Sequence, residues 1–140
     1  MSAAIVAAAR SAIGARFRLH GRDPAYGLDC VGLVAVALRA EGATAIMPDG
    51  YALRSGDADA VAAMIVAAGL VAATQAKPGD VLLCRAGPGQ LHLAIDGGAG
   101  SEHPAGSIIH ADAQLRRVVE RPGPPPWPVI GRWRLAKTEE

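Results

Sequence analysis

The chain has 140 residues, 51% of them hydrophobic and 19% charged, with 14 Lys+Arg against 13 Asp+Glu for a formal net charge of +1. That is enough apolar material to build one folded domain over residues 1–140 and too much for a disordered polar chain. The near-neutral balance and an aromatic content of 4% exclude a basic phosphate-binding face and a base-stacking platform, so nucleic acid is not an expected partner.

Ser2 can cap a first helix in which Ile5, Ala8, Ala9, Ala12 and Ile13 follow helical spacing and Gly14 supplies the stop. This Ala-rich opening lacks a basic start and is interrupted by Arg10 and Arg16, so it reads as a helix of the domain rather than a signal peptide. No apolar run reaches the roughly 18–20 residues that a membrane span needs. The expected location at synthesis is therefore cytoplasmic, a reducing compartment in which Cys30 and Cys84 are not expected to pair. Residues 17–29 read as a loop punctuated by Gly21, Pro24 and Gly27. Asp29 stands where an N-cap belongs. The stretch 30–41 is apolar on most sides (Val31, Leu33, Val34, Val36, Leu38), which marks a buried central helix ended by Gly42. A loop through Met47, Pro48 and Tyr51 leads to a third helix over 57–68, with Asp57 and Asp59 at its positive end and Val61, Met64, Ile65 and Ala68 as its stripe.

After Gly69 the pattern becomes that of strands. Lys77-Pro78-Gly79-Asp80 is a turn, Val81 to Arg85 a short strand, and Gly87-Pro88-Gly89-Gln90 another turn. Leu91 to Asp96 alternates, with Leu91, Leu93 and Ile95 on one face and His92, Ala94 and Asp96 on the other. A Gly-rich loop over 97–106 precedes strands at Ser107–His110, Leu115–Glu120 and Val129–Leu135. The proline-rich stretch 122–128 between the last two cannot be a central strand. Helices first and strands second predict an α+β fold with a central antiparallel sheet of about five strands.

Three residues carry a recognisable chemistry. Cys30 opens a helix, where the dipole and free N–H groups lower a thiol's pKa and favour the thiolate. His92 shares its strand face with Ala94, a side chain small enough to let a helix approach. If that helix begins with Cys30, an activated sulfur and a base can meet. His110, pointing opposite to Ile109 on a neighbouring strand, can hold the other ring nitrogen of His92. Cys84 reads as core, His103 as solvated, and Trp127 and Trp133 as packing anchors. Cys30, Cys84, His92, His103 and His110 are all zinc-ligand types, but they form no paired ligand motif, and the chemistry expected here needs neither a metal nor another cofactor.

The motifs around these residues resemble those of the NlpC family of papain-like cell-wall cysteine peptidases. Leu28-Asp29-Cys30-Val31-Gly32-Leu33-Val34 is similar to its Cys signature, and Lys77-Pro78-Gly79-Asp80-Val81 to its P-G-D strand entry. Leu91-His92-Leu93-Ala94-Ile95 and Ile108-Ile109-His110-Ala111 are similar to its two His strands, in the family's order. The resemblance implies a papain-like domain, with Cys30 as nucleophile on a helix packed against the sheet, His92 as base and His110 as orienter. It also implies cleavage of peptidoglycan stem peptides between γ-D-glutamate and a diamino acid. Phe17 stands where the family often has a Tyr, which leaves Tyr26 or His20 to replace it at the oxyanion site. Arg18, Arg22 and His20 are candidates for substrate carboxylates and Asp112 for the free amine. Val31 after the Cys, in place of Ser, resembles the branch associated with phage tails and gene transfer agents. That branch implies tail or other delivery proteins as partners and action in the periplasm or cell wall. The same scaffold also accommodates an amidase, an acyltransferase or a non-catalytic tail module.

Overall fold

The computed structural model describes residues 2–43 and 56–136. The loop through Met47, Pro48 and Tyr51 and the capping side chain of Ser2 lie outside the described residues. Helix α1 (Ser2–Ser11) buries Ile5, Val6 and Ala9. Past it the chain turns at Gly14, whose φ of 91° a side chain would oppose. The following segment is not all loop: β1 (Arg22–Asp23) and β2 (Gly27–Leu28) pair as a short antiparallel ribbon. Two-residue strands are too short for alternation to reveal them. Helix α2 (Cys30–Arg39) is buried along most of its length, and α3 (Ala58–Ala67) buries Val61 and Ile65.

Six strands form the main sheet: β3 (Leu70–Ala72), β4 (Val81–Gly87), β5 (Gln90–Asp96), β6 (Ser107–Asp112), β7 (Arg117–Pro122) and β8 (Val129–Leu135). Their order is β3-β8-β4-β5-β6-β7, antiparallel throughout. The mixed α+β architecture is as expected. The sixth strand, β3, exceeds the expected five because three residues give no periodic signal. Leu115, expected in a strand, is exposed in the turn before β7.

All three helices pack on one face of the sheet. Val31, Leu33 and Val34 of α2 join Leu91, Leu93 and Ile95 of β5 and Ile109 of β6 in the main core. The other face carries a smaller cluster of Leu82, Cys84, Ala94 and Ile108 under Trp127. Ala94 is therefore small to fit beneath Trp127, not to admit the helix, which lies across the sheet from it. The Pro78-Gly79-Asp80 turn has a structural purpose. Asp80, 1% exposed, accepts from Arg132 at 2.7 Å and Arg134 at 2.9 Å, and Arg132 also reaches Asp96 at 2.8 Å. A buried carboxylate needs such charged partners, and here they lock β4, β5 and β8 together. The loop over 97–106 is held by Glu120, which accepts from Ser107 at 2.6 Å and from Arg10 of α1 at 2.8 Å, with the His103 ring 3.8 Å away. His103 is thus half-buried beside a carboxylate rather than solvated. No described helix is long and apolar enough to cross a membrane.

Candidate active site

Asp29 builds the start of α2. Its backbone is extended, and its carboxylate accepts from the Gly32 N–H at 2.8 Å, the cap the sequence suggests. The same carboxylate accepts from the His20 N–H at 2.8 Å and from Arg22 at 3.1 Å. It therefore ties the preceding segment to the first helical turn. Gly32 is required there because a Cβ would collide with the Gly21 carbonyl. Cys30 is placed at the helix start, 7% exposed. N–H groups of Leu93, Val31 and Cys30 itself favour its thiolate, but burial outweighs them and, with the nearby Asp29 charge, pushes the thiol up to about 12. Desolvation thus opposes the thiolate that the helix position favours.

His92 and His110 project from the sheet face opposite the helices. His92 Nε2 and His110 Nδ1 share a hydrogen bond of 2.9 Å. Trp127 stands edge-on to both rings, with centroids 5.1 Å from His92 and 5.3 Å from His110. Burial first, then the neighbouring His110, brings His92 down to about 4, with Asp112 opposing. Burial likewise lowers His110, helped by Arg121 and opposed by Asp112. The rings line a cleft of about 340 Å³ with Gln90, Asp112, Arg121 and Trp127.

Cys30 belongs to the helix-side core and the histidines to the other face, and between them the sheet opens. The β5–β6 ladder joins only Ile95 to Ile109 and Asp96 to Ile108. Beyond Ile95 the strands carry no further pairs, and the Leu93 N–H serves the Cys30 sulfur instead. The thiol thus lies one residue along the strand from His92. Among the described residues no hydrogen bond joins the two side chains, and both are uncharged at neutral pH. With Nε2 of His92 committed to His110, its Nδ1 is the nitrogen left for a thiol proton. This arrangement suits nucleophilic acyl transfer.

The solved structures supply a likeness of the same kind. The crystal structure of the NlpC/p60 domain of peptidoglycan hydrolase SagA is 30% identical to this chain, covers 86% of it and 87% of its own length, and superposes with a TM-score of 0.53. The chain belongs to the NlpC/p60 family. No protein-family model and no curated protein sequence matches it. With 86% of the chain covered, the NlpC/p60 assignment rests on helices and sheet together rather than on the Cys motif alone.

Of the residues singled out from sequence, this NlpC/p60 chain brings His92, His110 and Asp112 into one cleft, which Cys30 does not line. Arg18, His20 and Tyr26 are exposed on the segment before α2 and do not line that cleft, Tyr26 being 69% exposed. Arg22 is engaged by Asp29. Trp127 was expected only to pack, yet it borders both imidazoles. Its position depends on how the proline-rich segment crosses from β7 to β8, which no local pattern encodes. Among the described residues no group of three or more His, Cys, Asp or Glu is arranged to hold a metal ion.

Proposed function

We propose that the protein is a cysteine peptidase of one catalytic domain. It hydrolyses peptidoglycan stem peptides between γ-D-glutamate and the diamino acid through an acyl-enzyme on Cys30. The single observation that carries the reading is the 2.9 Å His92–His110 hydrogen bond in a polar cleft, with Cys30 at the start of the neighbouring helix. The likeness to a domain of a peptidoglycan hydrolase supports the substrate class. In this mechanism the thiol proton passes to His92 Nδ1 as sulfur attacks the amide carbonyl, and the Cys30 N–H stabilises the oxyanion. Collapse expels the amine, which takes the proton from His92. Water then attacks the thioester while His92 takes its proton, and the acid leaves as the thiol reforms. His110 orients His92, and Trp127 keeps water from their hydrogen bond. Arg18, His20 and Tyr26, ahead of Cys30, are the polar groups offered to the substrate's carboxylates. Val31 beside Cys30 favours the tail-associated branch, in which a phage tail or release at lysis delivers the enzyme to the periplasm or cell wall.

Digestion of purified sacculi and of a diaminopimelate tetrapeptide, followed by mass spectrometry, tests this reading. The expected products are split between D-glutamate and the diamino acid, with weaker cleavage when the free amine is blocked. Acyl transfer to an added amine without hydrolysis would make the protein a transferase. Inert substrates with folded protein would leave a binding module.

A further inference from the structure

His110 Nε2 is buried and has no hydrogen-bond partner among the described residues. A buried polar atom in that state calls for an explanation. The group it faces is Asp112 Oδ2, 4.0 Å away and two residues along the same strand face. Asp112 is not free to turn aside. Its Oδ1 accepts from the N–H groups of Gln114 at 2.8 Å and Leu115 at 3.0 Å, which leaves Oδ2 toward the ring.

We propose that Asp112 is a positioning residue: its carboxylate keeps the proton of His110 on Nε2, and so leaves His92 Nδ1 unprotonated and ready for the Cys30 proton. The inference rests on His92 being the base. One hydrogen bond between two neutral imidazoles can run in two directions. If His92 Nε2–H donates, His110 must carry its own proton on Nε2, and His92 Nδ1 keeps its lone pair. If His110 Nδ1–H donates, His92 carries its proton on Nδ1 and cannot act as base toward the thiol. At 4.0 Å the Asp112 contact is electrostatic rather than a hydrogen bond. Its sign still decides between the two states: an N–H dipole aimed at a carboxylate is favoured, and a lone pair aimed at it is repelled. The other charged group facing the rings is Arg121 on β7, which opposes protonation of His110. Cys84 on β4, the cross-strand partner of His92, and Trp127 are uncharged. Asp112 thus gives the pair its direction, while burial, helped by Arg121, disfavours uptake of a proton from solvent.

Asp112→Asn tests this without dismantling the turn. The amide oxygen can replace Oδ1 toward Gln114 and Leu115, which leaves the NH2 group facing His110. That group donates, so it favours a bare Nε2 and reverses the hydrogen bond. Side-chain 15N–1H long-range correlation on the full chain at pH 7 should show Nε2–H on both His92 and His110 in the wild type. The Asn variant should show Nδ1–H on both, and kcat on the stem peptide should fall about 100-fold or more at nearly constant KM. The spectra need no substrate, so they stand apart from whether the protein is a hydrolase. Nδ1–H on wild-type His110, or Nε2–H retained on both rings in the variant, overturns the proposal. A rise in KM alone also overturns it and returns Asp112 to amine binding. If the Asn variant does not fold, Asp112→Ser, whose hydroxyl can cap the same turn, should give mixed tautomers. A pure wild-type pattern in that variant overturns the proposal equally.

Discussion

Burial acts on the Cys30 thiol and the His92 imidazole in opposite directions, up to about 12 for one and down to about 4 for the other. Both shifts favour the uncharged form. At neutral pH the resting pair is therefore thiol and imidazole, and the proton moves only when a substrate carbonyl is there to be attacked. It follows that alkylation of Cys30 by iodoacetamide should accelerate about tenfold per pH unit between about pH 6 and 9, because the thiolate is the reactive form. A rate already flat from about pH 5 would reveal a preformed ion pair and contradict this. Cys84 is fully buried, on the far side of the sheet from Cys30, and should stay unlabelled. Cys30→Ala should abolish cleavage and Cys84→Ala retain it. His92→Ala should likewise abolish turnover, whereas His110→Asn should keep part of it, because an amide oxygen can still accept the His92 N–H. Equal loss in both folded variants would argue against separate roles. The helix-start position of Cys30 and the strand positions of His92 and His110 were legible in the sequence, but not that the histidines face away from the helix that carries Cys30. The charge state of Cys30 was not, because desolvation depends on what packs over the sulfur. The contact of Trp127 with the histidines was not legible either, because it is made across a crossover.

Among the elements, the first turn of α2 and the ribbon ahead of it work as one unit. Asp29 joins them by hydrogen bonds, and Gly32 allows the Gly21 carbonyl to lie against the helix. Backbone faces backbone there, so no side-chain rotation relieves an added methyl. Gly32→Ala should cost about 2 kcal/mol by urea denaturation and take most of the activity with it, since the shift is transmitted to Cys30. Wild-type activity and midpoint in that variant would show that the close approach is dispensable. Helices α2 and α3 and strands β4 to β6 could be read from the sequence because each runs long enough to show its period and ends at Gly, Pro or Asp. The short strands β1 to β3 could not. Strands β1 and β2 are two residues each and show no alternation, and β3 exists through a distant partner, Leu70 pairing with Leu135.

At the scale of the whole molecule, the buried histidines make stability depend on pH. His92 titrates near 6.5 when unfolded and near 4 when folded, so between those values the unfolded chain binds more protons. Stability contributed by the neutral ring is full above about pH 6.5 and is lost as pH falls toward 4, on the order of 3 kcal/mol, with His110 adding in the same sense. Urea midpoints at pH 7 and pH 4.5 should differ more for the wild type than for His92→Gln. Parallel losses would assign the acid limb to other groups. The sheet order has a consequence for biosynthesis. The last described strand in the chain, β8, is inserted between β3 and β4. An elongating chain that has already released Cys30 and both histidines from the ribosome still presents a bare β4 edge, open to pairing with other chains. It also lacks Trp127 over the imidazoles. Aggregation is then the hazard of the interval before β8 emerges.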